Sequence, residues 1–307
     1  KTLKTNPVYV TTKNPEAYQH FQKKPGSQTG SESLKTNAKQ TSSIDQHIPE
    51  TGKNYPNRYA LIIGNEDYST FQKGLQAESD VDYAIQDART FKNYAIKTMG
   101  IPNDNIIFKT NAKVIEFSRS IDQIASIIKN TKGQAEIIFF YAGHGFPNEK
   151  TKEPYLMPVD VSGTDLEYAI KLEKIYQKFT AYPSNRITFF LDACFSGGVR
   201  NQGLMAARGV KIEPKEQSLA GNLVVFSAST GNQSSLPYNE EQHGLFTYYL
   251  LKKIQETKGE LTYGELADYL KTNVPVKSVL INDKEQTPQI NVSIDVKGEW
   301  QKWMFTE

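Results

Sequence analysis

Two stretches constrain the fold of this chain most, because each is a short apolar, β-rich run that stops at a single chemically competent side chain. Ile187 to Gly198 reads Ile-Thr-Phe-Phe-Leu-Asp-Ala-Cys-Phe-Ser-Gly-Gly, and Ala135 to Gly145 reads Ala-Glu-Ile-Ile-Phe-Phe-Tyr-Ala-Gly-His-Gly. Runs of this kind form strands of a parallel sheet that is covered on both faces. Small residues and glycines then end the regular structure, so each strand delivers one polar group, Cys194 or His144, at its carboxyl end. In open α/β sheets that edge is where ligands bind and reactions occur. Read alone, the single cysteine favours a small buried core residue. The paired histidine stretch shifts the reading towards a nucleophile. If the two strands are parallel neighbours, imidazole and thiol face each other across the top of the sheet. A neutral imidazole there can accept the thiol proton or stabilise the thiolate that attacks a carbonyl.

The rest of the chain supplies the other layers. Arg58 opens a buried strand, Tyr-Ala-Leu-Ile-Ile-Gly, followed by a polar loop over Asn65 to Ser79. Val81 to Met99 predicts an amphipathic helix with Ala84, Ala88, Phe91 and Ala95 on one side, ended by Gly100. Ile106 to Phe108 predicts a short strand, and Ser118 caps a helix bearing Ile121, Ile124 and Ile128. Tyr155 to Pro158 reads as a short extended piece and Leu172 to Phe179 as a helix. Asn222 to Ser229 reads as a buried strand, Leu245 to Gln255 and Tyr263 to Asn273 as helices, and Gln289 to Val292 as a last strand. Alternating strands and helices predict an α/β fold with a mostly parallel sheet of about six strands and helices on both faces.

Composition sets the limits. The chain has 307 residues, of which 38% are hydrophobic, low for a fully packed protein of this length. The missing polarity lies in residues 1–54, rich in Lys, Thr, Ser, Asn and Gln, which read as a disordered extension with at most a short helix over Glu16 to Lys23. His20 and His47 within it read as solvated. The folded domain spans 55–295, and 296–307 form an aromatic tail whose Trp300, Trp303, Met304 and Phe305 are expected to dock on the domain itself. A net charge of +2 gives no reason to expect a nucleic-acid partner. One cysteine excludes an intramolecular disulfide and a cysteine-based zinc site. No apolar run reaches the roughly 18 residues of a membrane span. The start at Lys1 rather than methionine leans towards an exported protein, with the cytoplasm left open.

The motifs Tyr-Ala-Gly-His-Gly and Asp-Ala-Cys-Phe-Ser-Gly-Gly, each after an apolar strand, resemble those of the caspase-like cysteine peptidases. Within that family the chain is most similar to metacaspases and their bacterial relatives, the orthocaspases, from about Arg58 to Ile290. His144 precedes Cys194 by fifty residues, as the histidine of caspases precedes their cysteine by roughly 50. One difference from caspases is Asp192, which stands where their Gln-Ala-Cys-x-Gly signature has glutamine. The resemblance implies a caspase-like three-layer sandwich and a cysteine endopeptidase acting on proteins or peptides without an obligatory cofactor.

It also implies roles for particular residues. Cys194 is the nucleophile and His144 the acid–base; the backbone N–H groups of Gly145 and Cys194 hold the oxyanion. Asp192, together with Asp87 in Ala-Ile-Gln-Asp-Ala, lines the pocket for the residue before the cut. Two confined carboxylates favour Arg or Lys there and repel Asp. Asp87 also reads as a solvated helix residue, with Asp80 and Asp82 as competitors, and Asp192 as a strand-end cap. Ser227, Ala228 and Ser229 resemble the strand that pairs with substrate backbone. The 199–220 loop carries self-cleavage candidates at Arg200, Arg208, Lys211 and Lys215. Calcium activates many metacaspases, and Asp160 and Asp165 are the candidate ligands. His243, in Gln-His-Gly-Leu-Phe, reads as a helix-start or surface residue. A catalytically silent binding module and cleavage after Asp are the alternatives; a nucleotide-binding reading is weak, because Gly64-Asn65-Glu66 stands where a glycine-rich phosphate loop belongs.

Overall fold

The computed structural model describes residues 41–195, 214–215, 218–231 and 233–306. The expected helix at Glu16 to Lys23, and Arg200, Arg208 and Lys211 of the candidate self-cleavage loop, lie outside the described residues.

In chain order the described elements are β1 (Arg58–Gly64), α1 (Ala84–Lys97), β2 (Ile106–Thr110), α2 (Val114–Asn130), β3 (Glu136–Ala142), β4 (Gly145–Pro147), β5 (Pro154–Leu156), β6 (Ile170–Lys171) and α3 (Leu172–Phe179). They continue with β7 (Arg186–Asp192), β8 (Leu223–Ser227), β9 (Pro237–Tyr238), β10 (His243–Gly244), α4 (Leu245–Glu256), α5 (Tyr263–Asn282) and β11 (Gln289–Val292). The main sheet has six strands in the order β11-β8-β7-β3-β1-β2. All neighbours run parallel except β11, which is antiparallel to β8. A three-stranded antiparallel sheet, β4-β5-β6, follows the histidine motif.

The apolar strands alternate between two cores. Ala60, Ile62, Ile138, Phe140 and Phe190 face α1, α4 and α5. Leu61, Ile63, Phe139, Tyr141, Phe189 and Leu191 face α2 and α3. Successive strand residues point to opposite faces, so a run such as Ile-Ile-Phe-Phe-Tyr fills both layers at once. The three-layer α/β sandwich expected from the sequence is therefore present.

Several boundaries differ from those expected. α2 starts at Val114, not at Ser118, because Glu116 accepts the Lys113 N–H and Asp160 accepts the Val114 N–H at 2.9 Å. That second carboxylate comes from far along the chain. α5 runs through Pro275 to Asn282, with Val274 just before the proline and Ser278 beyond it both buried. Residues 41–54 do not belong to a disordered extension: Ile44 is wholly buried, and the Tyr94 hydroxyl donates to its carbonyl. Their polarity misleads because most of their contacts are hydrogen bonds, such as Gln255 to the Ser43 and Gln46 carbonyls. The aromatic tail docks on the domain, with Phe305 buried and its carbonyl bound by Arg58 at 2.6 Å. Arg186 binds the Met304 carbonyl, and both arginines ion-pair with Glu136. No helix among the described residues is long and apolar enough to cross a membrane.

Candidate active site

β3 and β7 are adjacent and parallel, with Ala142 level with Asp192. His144 and Cys194 each follow two residues beyond that pair, so the register sets them side by side at the carboxyl edge. Contact is close there: a Cβ built on Gly145 would lie 2.7 Å from the Cys194 carbonyl oxygen and 2.7 Å from the Phe195 ring. Any side chain at 145 would push the histidine strand away from the cysteine strand.

His144 is 5% exposed and held from three directions. Its backbone N–H donates to the Tyr68 hydroxyl at 3.0 Å, and its carbonyl accepts from the Tyr141 hydroxyl at 2.7 Å. Its Nε2 lies 2.7 Å from the Ser79 carbonyl oxygen. A carbonyl can only accept, so Nε2 carries a hydrogen, and in the neutral tautomer the basic nitrogen is Nδ1. Tyr68 also packs its ring 4.6 Å from the imidazole. Burial raises both tyrosine hydroxyls above their ordinary range, which keeps them neutral donors. Asp80 fixes the loop that brings Tyr68 and Ser79 here, accepting the N–H groups of Tyr68 and Ser69, each at 2.8 Å.

Cys194 is 4% exposed. Its Sγ accepts the Ser235 N–H at 2.7 Å and lies 3.6 Å from the Ser235 carbonyl oxygen, to which the thiol can donate. The Ser235 hydroxyl in turn donates to Asp192.

Asp192 and Asp87 are both fully buried, and both end at the N-terminus of α4. Asp192 accepts from the Thr247 hydroxyl at 2.7 Å and the Thr247 N–H at 3.2 Å. Asp87 accepts the Gly244 N–H and lies 2.7 Å from His243 Nδ1. Carboxylates suit a helix N-terminus, where unpaired N–H groups and the dipole favour negative charge. His243 starts that helix as expected, but it is wholly buried rather than a surface residue. Its Nε2 faces Asp45 at 3.4 Å. Burial alone would lower the pKa of its imidazolium; Asp45 and Asp87 outweigh that and hold it up at about 9.

Of the three residues expected to pair with substrate backbone, Ala228 has its N–H bound to the Leu191 carbonyl and its carbonyl to Gln286. Ser227 is in register with Gln289 of β11. Ser229 alone has backbone groups without a hydrogen bond among the described residues. Lys215 is held by its N–H to the Lys152 carbonyl. Asp160 is the cap of α2 already described, and no three His, Cys, Asp or Glu among the described residues converge to hold a metal.

Sequence reasoning missed Tyr68, Ser79, Ser235 and the depth of His243. Three of these lie in polar loops without periodicity, and only Tyr141, three residues before His144 in its own motif, was within view.

Residues 57–297 match the family model described as the caspase domain. Among solved structures, the protein GSU0716 from Geobacter sulfurreducens aligns with a TM-score of 0.59 at 18% identity, covering 82% of this chain and 99% of that one. Caspase-1 from Spodoptera frugiperda aligns with a TM-score of 0.52 at 14% identity, covering 80% of this chain and 90% of that one. At such identities these likenesses show the fold. No curated protein matches the sequence. With the caspase-domain match spanning most of the chain, and the six-stranded sheet carrying histidine and cysteine on adjacent strands, this protein belongs to the caspase-domain peptidase family.

Proposed function

We propose that this protein is a cysteine endopeptidase that hydrolyses protein or peptide bonds after Arg or Lys, akin to the bacterial metacaspases, with Cys194 as nucleophile and His144 as acid–base. The observation that carries the reading is the bond from His144 Nε2–H to the Ser79 carbonyl, which leaves Nδ1 as the basic nitrogen on a ring clamped beside the cysteine strand. In the proposed reaction the Cys194 sulfur attacks the substrate carbonyl, forming a C–S bond while the thiol proton passes to His144. The imidazolium then protonates the departing amine, leaving an acyl-enzyme. Water, deprotonated by His144, adds to the acyl carbon and expels the thiolate, which takes the proton back. The N–H groups of Gly145 and Cys194 hold the oxyanion in this reading, and the contact of Gly145 with the Cys194 carbonyl supports their closeness. The Ser235 loop has to yield for substrate to reach the sulfur.

The basic preference rests on Asp192 and Asp87. A second reading is favoured by one observation: both carboxylates already hold hydrogen bonds from the α4 terminus and, for Asp87, from His243. On that reading they brace the helix, and the preference for Arg or Lys is absent.

The test is turnover of fluorogenic peptides ending in Arg, Lys or Asp, with and without calcium, against Cys194→Ala. Turnover after Arg or Lys that vanishes in the control is expected. Equal turnover of all three peptides would favour the bracing role, and turnover only after Asp would remove the basic pocket. No turnover by folded, reduced protein would leave a silent caspase-like binding module.

A further inference from the structure

Residues 65–83, between β1 and α1, carry only one short 3-10 turn, Ala77–Ser79, yet they touch His144 at three points. The Tyr68 hydroxyl accepts its backbone N–H at 3.0 Å, the Tyr68 ring packs 4.6 Å from the imidazole, and the Ser79 carbonyl accepts from Nε2 at 2.7 Å. A loop keeps such a geometry only where a second set of bonds ties its contact points together.

Two observations point to Asp80 as that tie. Its Oδ1 accepts the N–H groups of Tyr68 and Ser69, each at 2.8 Å, and its Oδ2 accepts the Ser69 hydroxyl at 2.9 Å. Asp80 follows Ser79 directly in the chain, so one carboxylate fixes the separation of the two residues that touch His144. The N–H groups of Ser79 and Asp80 shape the turn locally, bonding to the Gln76 and Ala77 carbonyls, and the Val81 N–H closes the base of the loop on the Glu66 carbonyl. None of these bonds reaches Tyr68. The second observation is Ser79 itself, which is 1% exposed and whose hydroxyl is buried with no hydrogen-bond partner among the described residues. A buried hydroxyl left unpaired is costly, so the side chain of Ser79 is not what holds the residue there. Its neighbours hold it, and the placement gains the carbonyl on Nε2.

We propose that Asp80 is a positioning residue for His144: by holding Tyr68 and Ser79 at a fixed separation it keeps the Ser79 carbonyl on Nε2 and so fixes Nδ1 as the basic nitrogen of the neutral ring. The kinetic consequence rests on the endopeptidase reading; the tautomer does not.

The full chain with 15N in its histidine rings tests it by NMR at about pH 8, where an ordinary imidazole is neutral, His144 being the signal lost in His144→Ala. The wild type is expected to carry the hydrogen on Nε2 alone. Asp80→Ala removes all three bonds of the carboxylate. It should give a mixture of the two tautomers, with kcat for an arginyl peptide lower by about ten- to a hundredfold and KM within about twofold. Asp80→Asn, whose side-chain oxygen still accepts the two N–H groups, restores the single tautomer and most of kcat. Glu78→Ala, which takes an exposed charge from the same loop, changes neither readout. Should Asp80→Ala fail to fold, Asp80→Ser, one atom too short to make the bridge, is read in the same way. A single Nε2–H tautomer that persists without Asp80, or a wild-type ring with its hydrogen on Nδ1, overturns the proposal. So does a loss that Glu78→Ala reproduces or that Asp80→Asn fails to restore. If the wild type cleaves nothing, the endopeptidase reading fails by itself, and the tautomer in Asp80→Ala still decides.

Discussion

His243 offers a sharp test of the electrostatics beneath the site. Its imidazole is wholly buried between Asp87, at 2.7 Å, and Asp45, at 3.4 Å. The two carboxylates outweigh burial and raise its pKa from 6.5 to about 9. A group whose pKa is higher in the folded state binds its proton more tightly there. The stability this contributes is complete below pH 6.5, declines between pH 6.5 and about 9, and is gone above that. At about 1.4 kcal/mol per pH unit, that interval is worth roughly 3 kcal/mol, a large share of the about 5–15 kcal/mol typical of a folded domain. Urea unfolding followed by tryptophan fluorescence at pH 6, 7.5 and 9.5 reads it, since Trp300 and Trp303 pack against the domain core. The wild type is expected to lose about 3 kcal/mol across the series. His243→Gln is expected to be less stable by at least that much at pH 6, because Asp87 loses its buried partner, and to change little with pH. Other groups that ionise over this range are present in both proteins and cancel in the difference. A wild-type stability that does not change between pH 6 and 9.5, or one that falls in parallel in the two proteins, would refute a buried imidazolium.

Three further outcomes follow from the same geometry. Glu136→Gln removes the shared partner of Arg58, which is 1% exposed, and Arg186. It should lower stability by about 3–5 kcal/mol by chemical denaturation. Burial raises the Glu136 carboxyl, but Arg186 and Arg58 outweigh it and hold it below its ordinary 4.5, so its contribution is present above that pH and is lost as pH falls through the lowered value. Gly145→Ala places a methyl group against the Cys194 carbonyl oxygen; overpacking should cost about 1–3 kcal/mol of stability, and kcat/KM should fall well beyond what that loss explains. Tyr141→Phe leaves the carbonyls of His144 and Met157 without that donor. Thermal unfolding should show a loss of about 1–3 kcal/mol, together with a drop in kcat while KM is held.

The sheet was legible because its signals are local and strong. Residues 137–142, and residues 187–191 apart from Thr188, are apolar, and only a strand buried on both faces tolerates that. α3 and β11 were also found at their observed ends, each being a short periodic segment between clear breaks. The segment at 41–54 was not legible, since composition cannot report hydrogen bonds to α1 and α4. Nor was the start of α2, which a carboxylate from Asp160 settles.

By itself the sequence determined which residues stand as candidates for the chemistry. Two apolar strands, each ending in a small-residue turn, place His144 and Cys194 at the sheet edge, because side-chain period and strand polarity are local properties. Tertiary structure decided everything that depends on convergence. It aligned β3 with β7, turned the His144 ring by a bond to Ser79, set Ser235 on the cysteine sulfur, and brought Asp87 and Asp192 together at the terminus of α4. Those partners lie tens of residues apart in the chain. No local pattern encodes such meetings; they follow from how the packed layers bring loop ends together.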